Sequence, residues 1–513
     1  MCGIVGYIGK EQAAPILLEG LARLEYRGYD SAGICVAENG VLDVAKCKGR
    51  LKNLAAMTEN GALLHGTAGI GHTRWATHGE PNDINSHPHV SQNGKVALVH
   101  NGIIENYLEI REFLEEKGVQ FTSQTDSEVV AQLLEYCLGL DEVHCMQDAI
   151  YMVLHRIEGA YAFGIVCADD PERIYAARKD APLLLGYGDG CNFIASDVTA
   201  LVKYTRDISY MEDGEVAVLT RDSIEVFNAM ELPIEKEHHH VDWEISAAEK
   251  GGYPHFMLKE IMEQPEALRR AITPRVKDGR IDFGDLILSR QTIESFNRIM
   301  IVACGSSYHV GMLGKYTIEK LTRIPVEAVL ASEFRYCDPI VNDRTLVIVI
   351  SQSGETLDTM AALREAKARG ARVLSIVNVV GSSIARESDD VLYTWAGPEI
   401  AVATTKAYST QLAVIDMLAI YMADNLGRLD AAEYARLVEE LQMLPEKIET
   451  VLADREKIQF FASQYFNHDS VFFIGRNLDY ALGLEGSLKL KEISYIHSEA
   501  YASGELKHGT ISL

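Results

Sequence analysis

The sequence has no hydrophobic run long enough to cross a membrane. Its longest apolar runs, such as Leu346–Ile350, have the length of a strand, whereas a membrane-spanning helix needs about 20 apolar residues. The first residues, MCGIVGYIGK, contain neither a basic segment nor the apolar core of a secretory signal. We therefore expect a cytoplasmic protein that does not contact a membrane.

Positive charge is scarce. The chain holds 48 Lys and Arg residues against 74 Asp and Glu residues, which gives a net charge of -26. Because such a surface repels a phosphate backbone on average, we do not expect nucleic acid as a partner. Small anions are not excluded, since the N-terminus of a helix can hold a phosphate inside an acidic protein.

Motifs for disulfides, nucleotides and metals are also missing. The nine cysteines include no CxxC pair, which is typical of free thiols in a reducing compartment. The sequence has no GxxxxGK loop and no GxGxxG after a strand, so we expect no nucleotide cofactor. Adjacent histidines do not share a helix face or a strand face. We therefore interpret His238–His240 as part of a solvated connector and not as a metal site.

Four regions can be distinguished along the chain. Residues 2–220 are rich in short strands and Gly or Asn turns, which indicates a mixed α and β layered domain, and residues 221–285 form a polar connector with one helix. Residues 286–428 alternate apolar strands with helices, which is typical of a parallel sheet covered on both faces. Residues 458–513 repeat this pattern, because FIGRNLDYALG echoes VACGSSYHVGM. We therefore predict a duplicated domain.

Cys2 is the first candidate catalytic residue. Removal of Met1 would give Cys2 a free α-amino group, which titrates at about 7.7–8.0 and can act as the general base for the thiol of the same residue. By position alone, an incidental cysteine is the simpler explanation.

Side chains elsewhere in the first region would complete a site for an amino-acid amide. Arg74 offers a planar fork for an α-carboxylate, and Asp126 offers a partner for an α-ammonium group. Asn101 and Gly102 supply a side-chain amide and a backbone N–H suited to an oxyanion. Each feature has a simpler explanation: a surface ion pair for Arg74, a helix start for Asp126 and a hairpin turn for Asn-Gly. Chance explains any one of them easily, but all of them together with Cys2 poorly.

Hydroxyl groups crowd two strand ends in the third region. SQSGET follows the strand LVIVI, and CGSS follows another strand, each just before a helix. Ligands of open parallel sheets bind at the carboxyl ends of the strands, where helix N-termini attract phosphate. Ordinary helix caps would explain one such loop, whereas two at equivalent positions favour a phosphosugar site. The candidate residues are Ser306, Ser307, Ser351, Gln352, Ser353 and Thr356.

These segments resemble a known family. CGIVGYIG, RLEYRGYDSAG, GHTRWATHG, HNGIIEN and TDSE resemble the class II glutamine amidotransferase domain of the glucosamine-6-phosphate synthase branch. SQSGET is characteristic of sugar isomerase (SIS) domains, and HFMLKEIMEQP and EIAVATTKAYSTQ also resemble the synthase. The resemblance implies an N-terminal-nucleophile αββα sandwich followed by doubly wound parallel-sheet SIS domains, the second incomplete. It implies transfer of ammonia from glutamine to fructose 6-phosphate, with no metal or redox cofactor.

The resemblance also implies roles for individual residues. Cys2 would attack the glutamine amide, and Asn101 and Gly102 would hold the oxyanion. The residues implied in glutamine binding are Arg74, Trp75, Thr77, His78 and Asp126. The residues implied in sugar-phosphate binding are the six hydroxyl-loop residues and, against the sugar, Val402.

Lys489 and Glu492 lie three residues apart and would share a helix face. A surface salt bridge explains this spacing, but the resemblance favours a role for Glu492 in moving the proton that converts ketose to aldose. The resemblance further implies that His508 opens the sugar ring in the site of a neighbouring subunit, and hence a homodimer.

The resemblance stops at HGTISL. The family continues with a segment that carries a Schiff-base lysine, so we expect this sequence to be a fragment and not a protein that has lost its isomerising activity. One alternative is a glutaminase whose SIS region only senses sugar phosphate. Another is a sugar-phosphate-binding regulator, which would not need Cys2, Arg74 and Asn101. Other amidotransferases would need a diphosphate-sugar loop or a pyrophosphate loop, and the sequence has neither.

Overall fold

The computed structural model describes residues 2–25, 28–75, 79–241, 250–286 and 288–512. The chain divides into two compact units, Met1–Ala248 and Glu249–Leu513. Among the described residues, no helix combines the length and the apolar character that a membrane crossing requires.

The strands of the first unit are short and form two sheets. They are β1 (Gly3–Ile8), β2 (Ser31–Glu38), β3 (Val41–Lys48), β4 (Ala68–Arg74), β5 (His89–Val90), β6 (Val96–Ile104), β7 (Gly159–Cys167), β8 (Asp170–Lys179), β9 (Leu184–Gly188), β10 (Cys191–Ala195), β11 (Asp207–Tyr210), β12 (Val216–Leu219), β13 (Ile224–Phe227), β14 (Pro233–Ile234) and β15 (His239–His240). The helices are α1 (Ala13–Ala22), α2 (Leu51–Met57), α3 (Tyr107–Glu116), α4 (Glu128–Leu138) and α5 (Met146–Leu154).

The two sheets are antiparallel and pack face to face. Their strand orders are β15-β11-β9-β10-β1-β4-β2-β3 and β14-β13-β12-β8-β7-β6-β5. Side chains alternate across a strand, so Ile4 of β1 points into a core shared with Val99 of the second sheet, whereas Val5 packs with Leu17 of α1. Helix α4 covers the outer face of the second sheet through residues such as Val130. The layers therefore run helix, sheet, sheet, helix, which confirms the predicted αββα sandwich.

The structure differs from the sequence expectation at the end of this unit. The sequence placed the end of the first domain near residue 220, but β13, β14 and β15 continue its two sheets, and the compact unit extends to Ala248. The histidine triplet is part of this extension and not of a connector, whereas its predicted exposure holds for His238 and His240. His239–His240 pair with β11, His240 Nδ1 lies 2.7 Å from Asp207 Oδ1, and the His238 ring stacks on Tyr187.

The second unit alternates strands with helices. Its strands are β16 (Val276–Lys277), β17 (Arg280–Ile281), β18 (Arg298–Ala303), β19 (Val326–Leu330), β20 (Thr345–Ser351), β21 (Arg372–Val377), β22 (Asp390–Tyr393), β23 (Ser470–Gly475) and β24 (His497–Ala502). Its helices are α6 (Phe256–Met262), α7 (Gln264–Ile272), α8 (Arg290–Ser295), α9 (Gly305–Thr322), α10 (Ala331–Tyr336), α11 (Leu357–Ala368), α12 (Ser383–Glu387), α13 (Lys406–Asn425), α14 (Ala431–Gln442), α15 (Leu444–Ala453), α16 (Arg455–Tyr465) and α17 (Leu478–Ser494).

The main sheet of the second unit is parallel throughout, in the order β19-β18-β20-β21-β22. Alternating residues of β18 enter two cores: Ile301 packs with α9 and α13 on one face, and Val302 packs with α10 and α11 on the other. This confirms the predicted doubly wound architecture. From β18 the chain goes to β19 on one side and returns to β20 on the other. The switch point between β18 and β20 is where ligands of such sheets bind.

The repeat of the strand–helix pattern forms a second, smaller sheet. β23 pairs with β24 in parallel, and α17 follows β23 as α9 follows β18. Helix α16, which precedes this pair, has no buried residue, and Phe461 on it is 50% exposed. The second sheet therefore holds far less core than the first.

Candidate active site

Cys2 directly precedes β1 and lies half-buried beside the end of β4. The backbone N–H of Trp75 donates a hydrogen bond to Cys2 Sγ over 3.3 Å. Burial raises the pKa of the thiol, and this effect exceeds the lowering by the Trp75 N–H and by the nearby Arg74 charge. Since the thiolate is the nucleophilic form, Cys2 needs a base before it can attack a substrate.

Asn101 reaches Cys2 from the other sheet. It lies on β6, and its side-chain Nδ2 donates a hydrogen bond to the Cys2 carbonyl oxygen over 3.1 Å. The next residue, Gly102, is exposed and has φ +135°, and a Cβ there would lie 2.0 Å from the Ala160 carbonyl oxygen. Only glycine fits this position. Asn101 and Gly102 pair with Ala162 and Tyr161 of β7, so the Asn-Gly pair is part of a strand and not the hairpin turn that its sequence also allowed.

Arg74 and Asp126 lie close to one another and to Cys2. Arg74 ends β4, and its side chain is buried rather than part of a surface ion pair. Burial lowers the pKa of the Arg74 guanidinium, and negative charge on Asp126, Asp30 or the thiolate form of Cys2 would raise it, so these groups lie near Arg74. Asp126 Oδ2 accepts a hydrogen bond from the Ile104 N–H over 2.8 Å, which ties the segment before α4 to β6.

Trp75 forms part of the surface above Cys2. Its side chain is 41% exposed and packs edge-to-face on Tyr29, with 5.3 Å between the ring centroids. Gly28 lies against the Arg74–Trp75 backbone, where a Cβ would come within 2.7 Å of the Arg74 carbonyl carbon. Thr77 and His78, also predicted to bind glutamine, lie outside the described residues.

Four buried histidines that no sequence motif singled out lie behind Asn101. The rings of His72 and His87 stack with centroids 4.2 Å apart, and His89 meets His87 edge-on at 4.6 Å. Burial lowers the pKa of His72 to about 3 and the pKa values of His87, His89 and His100 below their usual range. All four are therefore neutral at pH 7. The available signal was position, since His72 and His100 stand beside the predicted Arg74 and Asn101 in sequence.

The two hydroxyl-rich loops emerge side by side at the switch point, because Ala303 of β18 pairs with Ile350 of β20. Within SQSGET, Ser351 Oγ lies 2.9 Å from Thr356 Oγ1 and accepts a hydrogen bond from the Gly354 N–H over 3.0 Å. These two hydroxyls therefore hold the shape of the loop. Gln352 and Ser353 are only half-buried and lie at its open side.

Ser306 and Ser307 lie in the first turn of α9. Ser307 Oγ donates a hydrogen bond to Gln411 Oε1 of α13 over 3.2 Å. The predicted phosphate-binding residues of both loops are thus brought to one edge of the five-stranded sheet.

Lys489 and Glu492 form the ion pair that their spacing predicted. Lys489 Nζ also lies 3.5 Å from Glu485 Oε1, and the other oxygen of the buried Glu485 lies 2.7 Å from His309 Nδ1 on α9. This polar cluster joins α17 to the helix that carries Ser307. Glu485 and His309 were not singled out from the sequence, since nothing in the chain order relates α9 to α17.

Val402 and His508 are exposed. Val402 lies 67% exposed between β22 and α13, in a segment whose Ile400 and Ala401 N–H groups donate to the buried Glu260 carboxylate over 2.6 and 3.1 Å. Burial raises the pKa of Glu260 to about 7. His508 follows a short 3-10 turn, and among the described residues no hydrogen bond or ion pair joins its ring to Lys489 or Glu492.

Two protein-family profiles match the chain: a glutamine amidotransferase domain over residues 72–203 and a SIS domain over residues 292–421 and 464–513. Among solved structures, the C-terminal domain of glucosamine-fructose-6-phosphate aminotransferase from Francisella tularensis is similar to 52% of this chain and 74% of its own, with 42% identity and a TM-score of 0.50.

Curated relatives match the chain from end to end. A protein of Caldanaerobacter subterraneus subsp. tengcongensis, named glutamine–fructose-6-phosphate aminotransferase (isomerizing), is 56% identical over 514 residues, which cover 100% of this chain and 84% of that protein. A Thermus thermophilus protein of the same name is 48% identical over 515 residues, with the same coverage of 100% and 84%. At this identity and coverage, the chain belongs to the family of isomerizing glutamine–fructose-6-phosphate aminotransferases.

Proposed function

We propose that this chain transfers the amide nitrogen of glutamine to fructose 6-phosphate, which yields glutamate and glucosamine 6-phosphate. The observation that carries the proposal is the Asn101 amide held against Cys2, with the buried Arg74 beside the thiol. A thiol, an oxyanion donor and a fixed cation in one place suit the hydrolysis of an amino-acid amide.

The first half-reaction takes place at Cys2. Once Met1 is removed, the α-amine of Cys2 accepts the thiol proton, and the thiolate adds to the amide carbon of glutamine. The Asn101 side chain carries two N–H donors, one of which is directed at the Cys2 carbonyl, and the other serves the oxyanion together with the Gly102 N–H. Ammonia leaves with the proton from the α-ammonium group, and water then cleaves the glutamyl thioester to glutamate and free thiol.

Glutamine is held by its α-carboxylate and its α-ammonium group. Arg74 binds the α-carboxylate through its planar fork, and Asp126 binds the α-ammonium group. Both are buried, so their charges are weakly screened and orient the substrate strongly. Trp75, Thr77 and His78 complete the pocket in this proposal.

The second half-reaction takes place at the switch point of the five-stranded sheet. The phosphate of fructose 6-phosphate binds the hydroxyl loops of Ser306, Ser307, Ser351, Gln352, Ser353 and Thr356, and Val402 contacts the sugar. Ammonia condenses with the C2 carbonyl and water leaves. Glu492, which is paired with Lys489, then takes a proton from C1 and returns it to C2, while the proton of the C1 hydroxyl passes to the nitrogen. The C2 imine thereby becomes the amino aldose.

We further infer a cytoplasmic homodimer. The nine cysteines are all free, which suits a reducing compartment. His508 is exposed, and among the described residues no hydrogen bond or ion pair joins it to Lys489 or Glu492. In this proposal it opens the sugar ring in the site of a second copy. Light scattering on the purified chain measures its mass and would contradict this inference if it gave one copy.

One assay tests the whole proposal. Purified protein is incubated with glutamine, with and without fructose 6-phosphate, and glutamate and amino sugar are measured separately. We expect glutamate in both samples and amino sugar only with fructose 6-phosphate. No glutamate would contradict hydrolysis at Cys2, and glutamate without amino sugar would restrict the chain to a glutaminase that binds sugar phosphate.

A further inference from the structure

His72 contacts the oxyanion residue from behind. Its ring nitrogen Nε2 lies 3.0 Å from Asn101 Oδ1 and 3.1 Å from the backbone carbonyl oxygen of His100. Both contacts are buried or partly buried, and His72 itself is fully buried on β4. One nitrogen atom therefore faces two oxygen atoms.

These contacts determine which ring nitrogen carries the proton. A carbonyl oxygen can only accept, so His72 Nε2 must donate. The opposite tautomer would direct the Nε2 lone pair at two oxygen atoms and would leave the Nδ1 proton without an acceptor, because Nδ1 is buried and has no hydrogen-bond partner among the described residues. The Nε2–H tautomer is thus selected by its surroundings.

The tautomer in turn fixes the orientation of the Asn101 amide. Because His72 Nε2 donates, the atom of Asn101 that faces it must be the oxygen. The amide nitrogen then points at Cys2, where the carbonyl oxygen of Cys2 accepts from it over 3.1 Å. Two backbone carbonyls, of His100 and Cys2, define opposite ends of the same chain of hydrogen bonds.

The ring stays neutral in this environment. Burial lowers the pKa of His72 to about 3, and the neighbouring His100 and Arg74 oppose its charge further. The stacked His87 ring is buried, and burial lowers its pKa as well. The donor–acceptor pattern around Asn101 is therefore constant over the pH range in which the α-amine of Cys2 changes its protonation.

We propose that His72 is a positioning residue for the oxyanion hole: its Nε2–H fixes the Asn101 amide so that the NH2 group faces Cys2. The inference rests on the proposed hydrolysis of glutamine at that thiol. It explains why a buried imidazole occupies a strand position between the two sheets, where an aliphatic side chain would pack at lower cost.

Substitution at position 72 separates this role from a role in packing. In His72→Leu the Asn101 amide loses its fixed partner, and we expect kcat for glutamine hydrolysis to fall about 10²-fold, as after loss of one oxyanion donor. KM should change less than about threefold, because Arg74 and Asp126 remain. His72→Gln keeps an N–H donor at similar reach and should recover to within about tenfold of the parent. His144→Leu, an exposed histidine of the same unit, serves as the control and should keep full activity.

Two further readouts distinguish positioning from misfolding. Alkylation of Cys2 by iodoacetamide forms no oxyanion and should proceed in His72→Leu within about twofold of the parent rate, since the thiol is unchanged. In an Asn101→Ala background, His72→Leu should cost little further activity, because the two residues act as one unit. Parallel losses of alkylation, hydrolysis and thermal stability would overturn the inference, as would fully additive losses.

The tautomer can be read without any turnover. Nitrogen-15 chemical shifts of histidine-labelled protein distinguish a protonated Nε2 from a protonated Nδ1, and we expect Nε2–H at His72 from pH 6 to 9. A proton on Nδ1 would overturn the inference even if the enzyme hydrolyses glutamine. An inactive parent enzyme with Nε2–H at His72 would instead contradict the proposed function and leave the amide orientation supported.

Discussion

The groups around Cys2 and the groups of the predicted sugar site rest on different kinds of support. Cys2, Arg74 and Asn101 lie on or next to β1, β4 and β6, which are strands of the two packed sheets and are covered on their outer faces by helices. The sugar site combines loops of a five-stranded sheet with α17, whose own sheet has two strands. Strand positions inside a packed sandwich leave side chains little freedom. The Cys2 site is therefore fixed by its core, whereas α17 depends on contacts such as His309 with Glu485.

Within the second unit, the largest expected difference between the main sheet and the smaller repeat is in stability. Phe334 is fully buried between α10 and the main sheet, so Phe334→Ala should cost about 3–5 kcal/mol in the free energy of unfolding. Phe461 on α16 is 50% exposed, and Phe461→Ala should change that free energy by less than about 0.5 kcal/mol. Hydrogen exchange of β20 amides in the two variants measures this, and equal losses would contradict the difference in burial.

Gly102 tests how rigidly the Cys2 site is held. In Gly102→Ala the new Cβ would lie 2.0 Å from the Ala160 carbonyl oxygen, so β6 and β7 must separate at the oxyanion hole. We expect kcat for glutamine hydrolysis to fall about 10²- to 10³-fold. Gly118 has φ +88° with open space around it, so Gly118→Ala should cost about 1–2 kcal/mol of stability and no activity. Full activity of Gly102→Ala would show that the site tolerates movement.

Glu260 should make the second unit sensitive to pH. Burial raises its pKa to about 7, above the value of about 4.3 for an unfolded glutamate, so the folded protein holds a proton that the unfolded chain releases. The stability from this group is fully present below about pH 4.3 and is lost as the pH rises through about 7. Between these values the free energy of unfolding should fall by up to about 1.4 kcal/mol per pH unit.

Replacement of Glu260 isolates this contribution from that of Asp416, whose pKa burial raises to about 6. Thermal unfolding of the parent and of Glu260→Gln is followed from pH 5 to 8, and the difference between the two curves should change with pH. The exposed Glu266 on the next helix provides the control, since Glu266→Gln should give a constant difference. A constant difference for Glu260→Gln as well would contradict the raised pKa.

Replacement of Ser307 tests the sugar site and has the smallest expected effect of these changes. Ser307→Ala removes a hydroxyl that donates to Gln411, and the Kd for fructose 6-phosphate should rise about 3- to 10-fold, the effect of one hydrogen bond. The exposed Ser295 at the end of α8 donates to the Thr292 carbonyl, so Ser295→Ala should leave the Kd unchanged. Calorimetric titration measures both. An unchanged Kd in Ser307→Ala would place the phosphate elsewhere.

The layered architecture followed from the sequence because strand and helix periods are local signals. The apolar GIVGYI of β1 is buried on both faces, and the alternation after residue 286 gives the parallel sheet. Local signals failed where a distant partner decides. In TDSE, Thr125 and Glu128 have the spacing of a capping box, which by itself predicts a helix that begins directly after Thr125. In the structure α4 begins at Glu128, and Thr125 Oγ1 lies 3.0 Å from His89 Nε2 instead.

The site shows the same limit. Cys2, Arg74, Asn101 and Asp126 could be singled out because the functional group of each residue type suits one step of amide hydrolysis or one group of the substrate. The position of His72 near Arg74 draws attention to it but does not give its role, which follows from the atoms that it contacts: the His100 carbonyl and the Asn101 amide, on a strand of the other sheet. Contacts of this kind depend on how two sheets pack, which no local pattern of residues encodes.

Replacement of Cys2 tests the central claim most directly. Cys2→Ala is assayed for glutamate production from glutamine and, separately, for fructose 6-phosphate binding, with Cys145→Ala, a change to an exposed free thiol, as the control. We expect Cys2→Ala to lose hydrolysis by at least about 10⁴-fold with an unchanged Kd for the sugar phosphate, and Cys145→Ala to keep both. Glutamate production by Cys2→Ala at a rate near that of the parent would contradict the account.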